Sequence, residues 1–468
     1  MMTPDNAARP SPMPQLANYI ARTIGTPLPE DVIEKAKFQL LDTLAAMVSG
    51  SRLLPGAKAI GYIQTQGQST QACVVGTSLL ATAVDAALAN GMLAHADETD
   101  DSHAASLTHP GCGIVPAALA VAEMYQRSGT ELLRALVLGY DVCCRMSLAL
   151  GAYRFRAAGH SSHSFGPNFG AAAACGALVG VDATQARYLM SYAAQQASGV
   201  SCWMRDTDHI EKAFDFGGMP ARNGVTAALM VANGFTGVAD VFSGERCFFD
   251  AYGDNADRAI LAHELGTRFE ILQTSIKRWS VGSPIQAPLD SLHSLLADKV
   301  VELGDLRQVT VRIPHESLTI VNNRDMPEIC LQHLLAVMLI DGTLTFASAH
   351  DRARMQDPAV LALRQRVQLF GDDALSRAMP TRQGIVELTF NDSRMLTSFT
   401  QAVRGTPPNP MTWLELVAKS DALMSPVLGA SQSSQLCSAV SKIDAMSDMR
   451  QLRPLLRTRS EHQKENYS

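Results

Sequence analysis

Apolar residues recur at helical spacing through the first half of the chain. In residues 29–49, PEDVIEKAKFQLLDTLAAMVS, the side chains Ile33, Ala36, Leu40, Leu44 and Met47 fall on one stripe. Pro29 suits a first helical turn and Gly50 a C-cap. The same periodicity predicts helices near 78–96, 114–128, 131–149, 167–180, 183–199 and 219–233. Several are rich in Ala and Gly, as in GAAAACGALVG, and small side chains let helices pack closely. β-Branched alternation is nearly absent before residue 300. It then appears: QVTVRI at 308–313 alternates as a strand does. Residues 385–390 and 395–403 flank the polar turn Asn391-Asp392-Ser393-Arg394, the pattern of a β-hairpin. Helical stretches near 327–340 and 357–368 lie between, and helical spacing returns after Pro410. The pattern predicts a mainly α protein, its large all-helical domain interrupted by a smaller α+β domain. The expected boundaries are 14–270 and 406–455 for the helical domain and 271–405 for the insert, with flexible tails at 1–13 and 456–468.

Composition narrows the class. Hydrophobic residues make up 47% of the 468 and charged residues 18%, as in an ordinary globular enzyme or binding protein. No apolar run is long enough to span a bilayer, so no membrane is expected as a partner. The polar, Pro-rich start, MMTPDNAARPSPMPQ, lacks the apolar core of a signal peptide. The nine cysteines form no C-x-x-C pair and sit mostly among Ala, Val and Leu, as small buried hydrophobes do. A reducing, cytoplasmic setting is the expectation. The net charge is −6 and no basic stripe is visible, which argues against nucleic acid. An anionic substrate would need local cations to overcome that field.

Chemistry concentrates in residues 95–116, HADETDDSHAASLTHPGCGIVP. Three histidines (His95, His103, His109), four carboxylates (Asp97, Glu98, Asp100, Asp101) and two serines (Ser102, Ser106) lie between apolar runs. Asp and Ser alone would fit a solvated loop with helix caps. The histidines point instead to a pocket, because capping has no use for them. A His/carboxylate metal site is the competing reading, although the segment lacks a fixed-spacing motif such as H-E-x-x-H. Three further stretches carry candidates. GHSSHSFGPNFG at 159–170 sets His160 and His163 before an Ala-rich helix, whose free N–H groups suit an anion. Residues 205–224 place Lys212 and Arg222 around a Gly-Gly turn. Lys277 and Arg278 precede Trp279 where the insert begins, and could clamp a carboxylate.

Taken together these motifs resemble the MmgE/PrpD family, from about residue 14 to about residue 450. The family's acidic signature stands here as His95-Ala96-Asp97-Glu98-Thr99-Asp100-Asp101-Ser102, followed by Thr108-His109-Pro110. Gly139-Tyr140-Asp141-Val142 with Arg145, the Gly159–Gly166 loop with His160, Lys212 with Gly217 and Ala221-Arg222-Asn223-Gly224, and Arg404-Gly405-Thr406-Pro407-Pro408-Asn409-Pro410-Met411-Thr412 continue the match. The chain departs from it in places. Glu98 replaces an Asp, Ser102 a Thr, and Asp215 stands before Gly217 where the family often has a His. The P-x-C…H pattern after Lys277 is missing.

The resemblance implies a helical domain with an α+β lid, a homodimer, an active site between the domains, and no metal or organic cofactor. It implies a lyase acting on a small di- or tricarboxylate, first of all a hydro-lyase of the 2-methylcitrate dehydratase kind. Decarboxylation of the cis-aconitate type and epimerisation of the iminodisuccinate type are the alternatives, with a catalytically silent carboxylate-binding protein as a reading from another class. Carried over by position, His109, His160, Lys212, Lys277 and Glu98 are the expected catalytic residues. Ser102, Asp101, Arg222 and Arg278 are expected to hold substrate.

Overall fold

The computed structural model describes residues 10–458 except 68, 254 and 299. The expected tails at 1–9 and 459–468 lie outside the described residues, whereas Met13 already opens a helix and Leu456 is buried. The fold is mainly α, as the apolar periodicity predicts. The chain divides into two units. The first takes the chain up to Ala96, then Asp100–Thr274, and resumes at Trp413; the second takes Ser275–Thr412 together with Asp97–Thr99. The acidic segment therefore leaves the first unit for three residues and returns to it.

In the first unit, helices Ala83–Ala94, Pro110–Met124, Gly129–Leu150, Ser162–Val179 and Met219–Ala232 pack on one another. Their contact faces are Ala- and Gly-rich, with Ala171, Ala172, Ala173 and Ala174 fully buried. Two helices begin earlier than their apolar stripes suggest. Pro116 and Pro167, near the expected starts, stand inside Pro110–Met124 and Ser162–Val179, each removing one backbone hydrogen bond. Lys212 lies in a short helix, Ile210–Ala213, that widens into a π-helical turn, Phe214–Gly218, before Met219–Ala232. Gly217 lets this turn touch helix Ala83–Ala94 backbone to backbone: a Cβ on Gly217 would lie 2.0 Å from the Gly91 carbonyl oxygen. A short hairpin, β1 (Ala72–Cys73) and β2 (Leu80–Ala81), is the only sheet of this unit among the described residues.

The second unit holds a four-stranded sheet, ordered β4-β3-β5-β6. Strand β3 (Leu306–Ile313) pairs antiparallel with β5 (Gly384–Phe390), and β5 pairs antiparallel with β6 (Met395–Thr400) across the expected polar turn. Strand β4 (Val367–Gly371) runs parallel to β3, where the sequence suggested the end of a helix. That helix, Pro358–Arg364, stops short of its expected end at 368, before β4 begins at Val367. Helices Gln286–Asp298 and Leu331–Asp341 complete the unit. Its core is built from Val309, Val311, Val386, Leu388, Leu334 and Leu335, among others.

Candidate active site

The acidic segment, the first turn of helix Ser162–Val179 and the residue that caps helix Ile210–Ala213 bring four buried histidines of the first unit together. Asp100, fully buried, joins two of them: its Oδ2 lies 2.9 Å from His95 Nδ1 and its Oδ1 3.3 Å from His109 Nδ1. A carboxylate on Nδ1 orients an imidazole and leaves Nε2 for proton transfer. The rings of His95 and His109 meet edge to face at 5.0 Å, and His163 lies 5.3 Å from His109. His209 lies 5.2 Å from His95, on left-handed backbone (φ +61°) that only a local demand would impose on a histidine.

Phe216, from the π-helical turn, is the platform for this cluster. It stacks with His163 at 4.0 Å and with His95 at 4.3 Å, and Trp203 meets it edge-on at 4.7 Å. The Lys212 ammonium stands 5.2 Å from the Phe216 ring and 5.4 Å from the Trp203 ring. A cation over aromatic faces is held in place at about 0.5–2 kcal/mol. Burial, and after it the nearby His109, Arg156 and Lys212, hold His163 well below the usual histidine range. The ring is thus held neutral, and its Nδ1 and the Nε2 of His95 have no hydrogen-bond partner among the described residues. Buried polar atoms are normally paired, so these two nitrogens set the cluster apart from an ordinary core.

His95, Asp100 and His109 also present donor atoms within 4.8 Å of one another, close enough for a divalent cation. The same short distances make one hydrogen bond, from His95, and one close approach, from His109, to a single carboxylate.

The second unit gathers other expected residues. Lys277 is buried and donates to the Glu98 carbonyl at 2.7 Å, with the Glu98 carboxylate at 3.7 Å. His350 Nε2 lies 2.8 Å from Asp97, which also accepts from the Thr99 hydroxyl and N–H.

Several expected positions stand elsewhere. His160 does not take the place beside His109 given to it by the sequence. Its ring stacks on Phe155 at 4.4 Å and meets Tyr252 edge-on, and His163, three residues on, faces His109 instead. The helix starts at Ser162, so its geometry turns His163 inward. Asp101 is fully buried away from the histidine rings' free nitrogens, accepting from the Gly111 N–H at 2.9 Å and the Tyr140 hydroxyl at 2.8 Å. Arg222 bonds Asn223 and lies over Phe214; Arg278 bonds His293 and lies over Trp279. Ser102 is half-buried just before the His103–Thr108 bridge. Phe216, Trp203 and His209 carry no sequence signal of their own; only their closeness to Lys212 in the chain marks them.

Fold and site together describe a helical protein with a buried acid–base cluster. Residues 14–260 match the MmgE/PrpD N-terminal domain and residues 279–444 the MmgE/PrpD C-terminal domain, and the chain belongs to this family. It is 31% identical over 244 residues to a cis-aconitate decarboxylase-like protein of Aspergillus oryzae, a match spanning 49% of this chain and 48% of that one. It is 22% identical over 488 residues to a cis-aconitate decarboxylase of Aspergillus terreus, covering 97% of each. Among the described residues, no helix is long and apolar enough to cross a membrane.

Proposed function

We propose that this protein is a lyase acting on a small di- or tricarboxylate, with His109 and His163 exchanging protons and Lys212 holding a substrate carboxylate. The observation that carries this reading is the pairing of His109, backed by Asp100, with a neutral His163 about one ring away. Removing a proton or a carboxyl group beside a carboxylate builds negative charge, which preorganised cations and donors must meet. The neutral His163 suits the base, and the carboxylate-backed His109 can carry a proton as acid. Lys277 and Glu98 enter as further candidates through the family match. An acid and a base together are what dehydration of a 2-methylcitrate-like substrate needs. The names of the Aspergillus relatives favour a second reading, decarboxylation of a cis-aconitate-like substrate, for which a proton donor to the product carbanion suffices.

The test is a proton-NMR incubation of purified protein with 2-methylcitrate, citrate, cis-aconitate and iminodisuccinate. Alkene signals growing from a hydroxy acid support dehydration, and loss of a carboxyl carbon as CO₂ supports decarboxylation. Turnover of none of these, with thermal stabilisation by one of them, would replace the lyase reading with carboxylate binding.

A further inference from the structure

Asp215 stands in the π-helical turn next to the platform residue Phe216 and is buried. It occupies the position where this chain departs from the family's His. The Ser161 hydroxyl donates to Asp215 Oδ2 at 2.5 Å, and the Trp203 indole N–H donates in turn to Ser161 Oγ at 3.2 Å. The Ser161 N–H donates to the Gly199 carbonyl at 3.1 Å, and the Ser164 hydroxyl to the Ser198 carbonyl at 2.6 Å. Gly199 has φ +140°, and a Cβ there would lie 1.8 Å from Ser164 Oγ and 2.9 Å from Asp215 Oδ1. Three separate stretches of chain therefore close on one carboxylate: the loop that leads to His163, the 198–203 segment that carries Trp203, and the turn that carries Phe216.

We infer that Asp215 is a positioning residue, whose bond to Ser161 locks His163, Trp203 and Phe216 into the geometry that the acid–base cluster uses. Asp215 touches none of the reacting atoms; it acts through Ser161. Among the described residues, Ser161 Oγ is the hydrogen-bonded link from the carboxylate to the indole. This inference rests on the proposed acid–base role of His163. It goes beyond that reading in naming a part that can be altered without altering any proton-transfer group.

The test uses the full chain with Asp215→Asn, Asp215→Ala and Ser161→Ala, beside His163→Ala. Asn keeps the shape of Asp215 and one acceptor oxygen, and Ser161→Ala removes one oxygen only, so both keep the test open if Asp215→Ala fails to fold. Groups that orient catalytic side chains are typically worth about 10- to 100-fold. The expected result is a fall in kcat of about 10-fold or more in Ser161→Ala, with KM nearly unchanged, and a smaller fall in Asp215→Asn. The Trp203 indole N–H and the His163 ring resonances should shift in both variants in ¹⁵N NMR of the substrate-free protein. Unchanged kcat in both variants while His163→Ala is inactive would overturn the inference. If the wild-type protein turns over no carboxylate, the lyase reading fails by itself. The NMR comparison then decides the lock: His163 resonances unmoved in Ser161→Ala and Asp215→Asn refute it, and shifted ones support it.

Discussion

Replacing Asp100 by Asn tests the centre of the site. The carboxylate is fully buried and lies 2.9 Å from His95 Nδ1 and 3.3 Å from His109 Nδ1. Asn has the same shape but only one acceptor, so its NH₂ group must face one of the two ring nitrogens. One histidine then loses its orienting bond or is driven to the other tautomer. A hydrogen bond to a charged group is worth about 1.5–3 kcal/mol, and each 1.36 kcal/mol is tenfold in rate. Losing one contact therefore lowers kcat/KM by about 10- to 150-fold, and a wrong tautomer at the working histidine by up to about 10⁴. The loss should fall on kcat, because Asp100 orients the cluster and does not bind substrate. The assay is turnover followed by NMR at saturating and limiting substrate, alongside a thermal melt to show that the fold persists. A kcat/KM within threefold of wild type, in a folded variant, would falsify the orienting role. Dialysis against a chelator is the companion measurement, since the same three residues can gather a cation. Unchanged activity fits the hydrogen-bonded reading; loss of activity restored by a divalent ion would replace it with a metal centre.

Other outcomes follow from the same geometry. His163→Ala should lower kcat/KM by about 10²–10⁴, whereas His160→Ala should be mild; the reverse order would return the base to His160. Lys212→Ala and Lys277→Ala should each cost about 10²–10³ in kcat/KM, and full activity in either would remove that lysine from the site. His333 is fully buried in the core of the second unit, both ring nitrogens lack a hydrogen-bond partner among the described residues, and burial pushes it down to about 4. Because its folded value lies below the unfolded one, near 6.5, the unfolded chain binds the proton first as pH falls. Stability from the neutral ring is present above pH 6.5 and is lost as pH drops toward 4, by about 3 kcal/mol. His333→Leu should remove that loss, so its denaturation midpoint should gain on wild type across this window; parallel curves would contradict the linkage.

The helical architecture was legible because long apolar stripes with Pro and Gly at their ends leave few alternatives. Strand β4 was not, since five residues following a helix, with one buried side chain at Val367, carry no period of their own. The acidic segment pointed to a pocket by its histidines, and three of its residues, His95, Asp100 and His109, do meet in the cluster. The choice between His160 and His163 was beyond sequence. Near a helix start, each residue turns the side chain by about 100°, so a shift of the first turn exchanges an outward ring for an inward one. Phe216 was invisible for another reason: an aromatic beside glycines reads as packing, and its service as a stacking platform depends on a π-helical turn that no periodicity announces.

The three-residue excursion of Asp97–Thr99 decides how this protein can be taken apart. A fragment cut at the sequence ends of the second unit, 275–412, would lack the Glu98 carbonyl that Lys277 binds and the Asp97 carboxylate beside His350. Such a truncation would leave a lysine and a histidine each without one native acceptor. Anyone wishing to study that unit alone would have to graft the missing tripeptide back on, or work with circularly permuted chains that keep it in place.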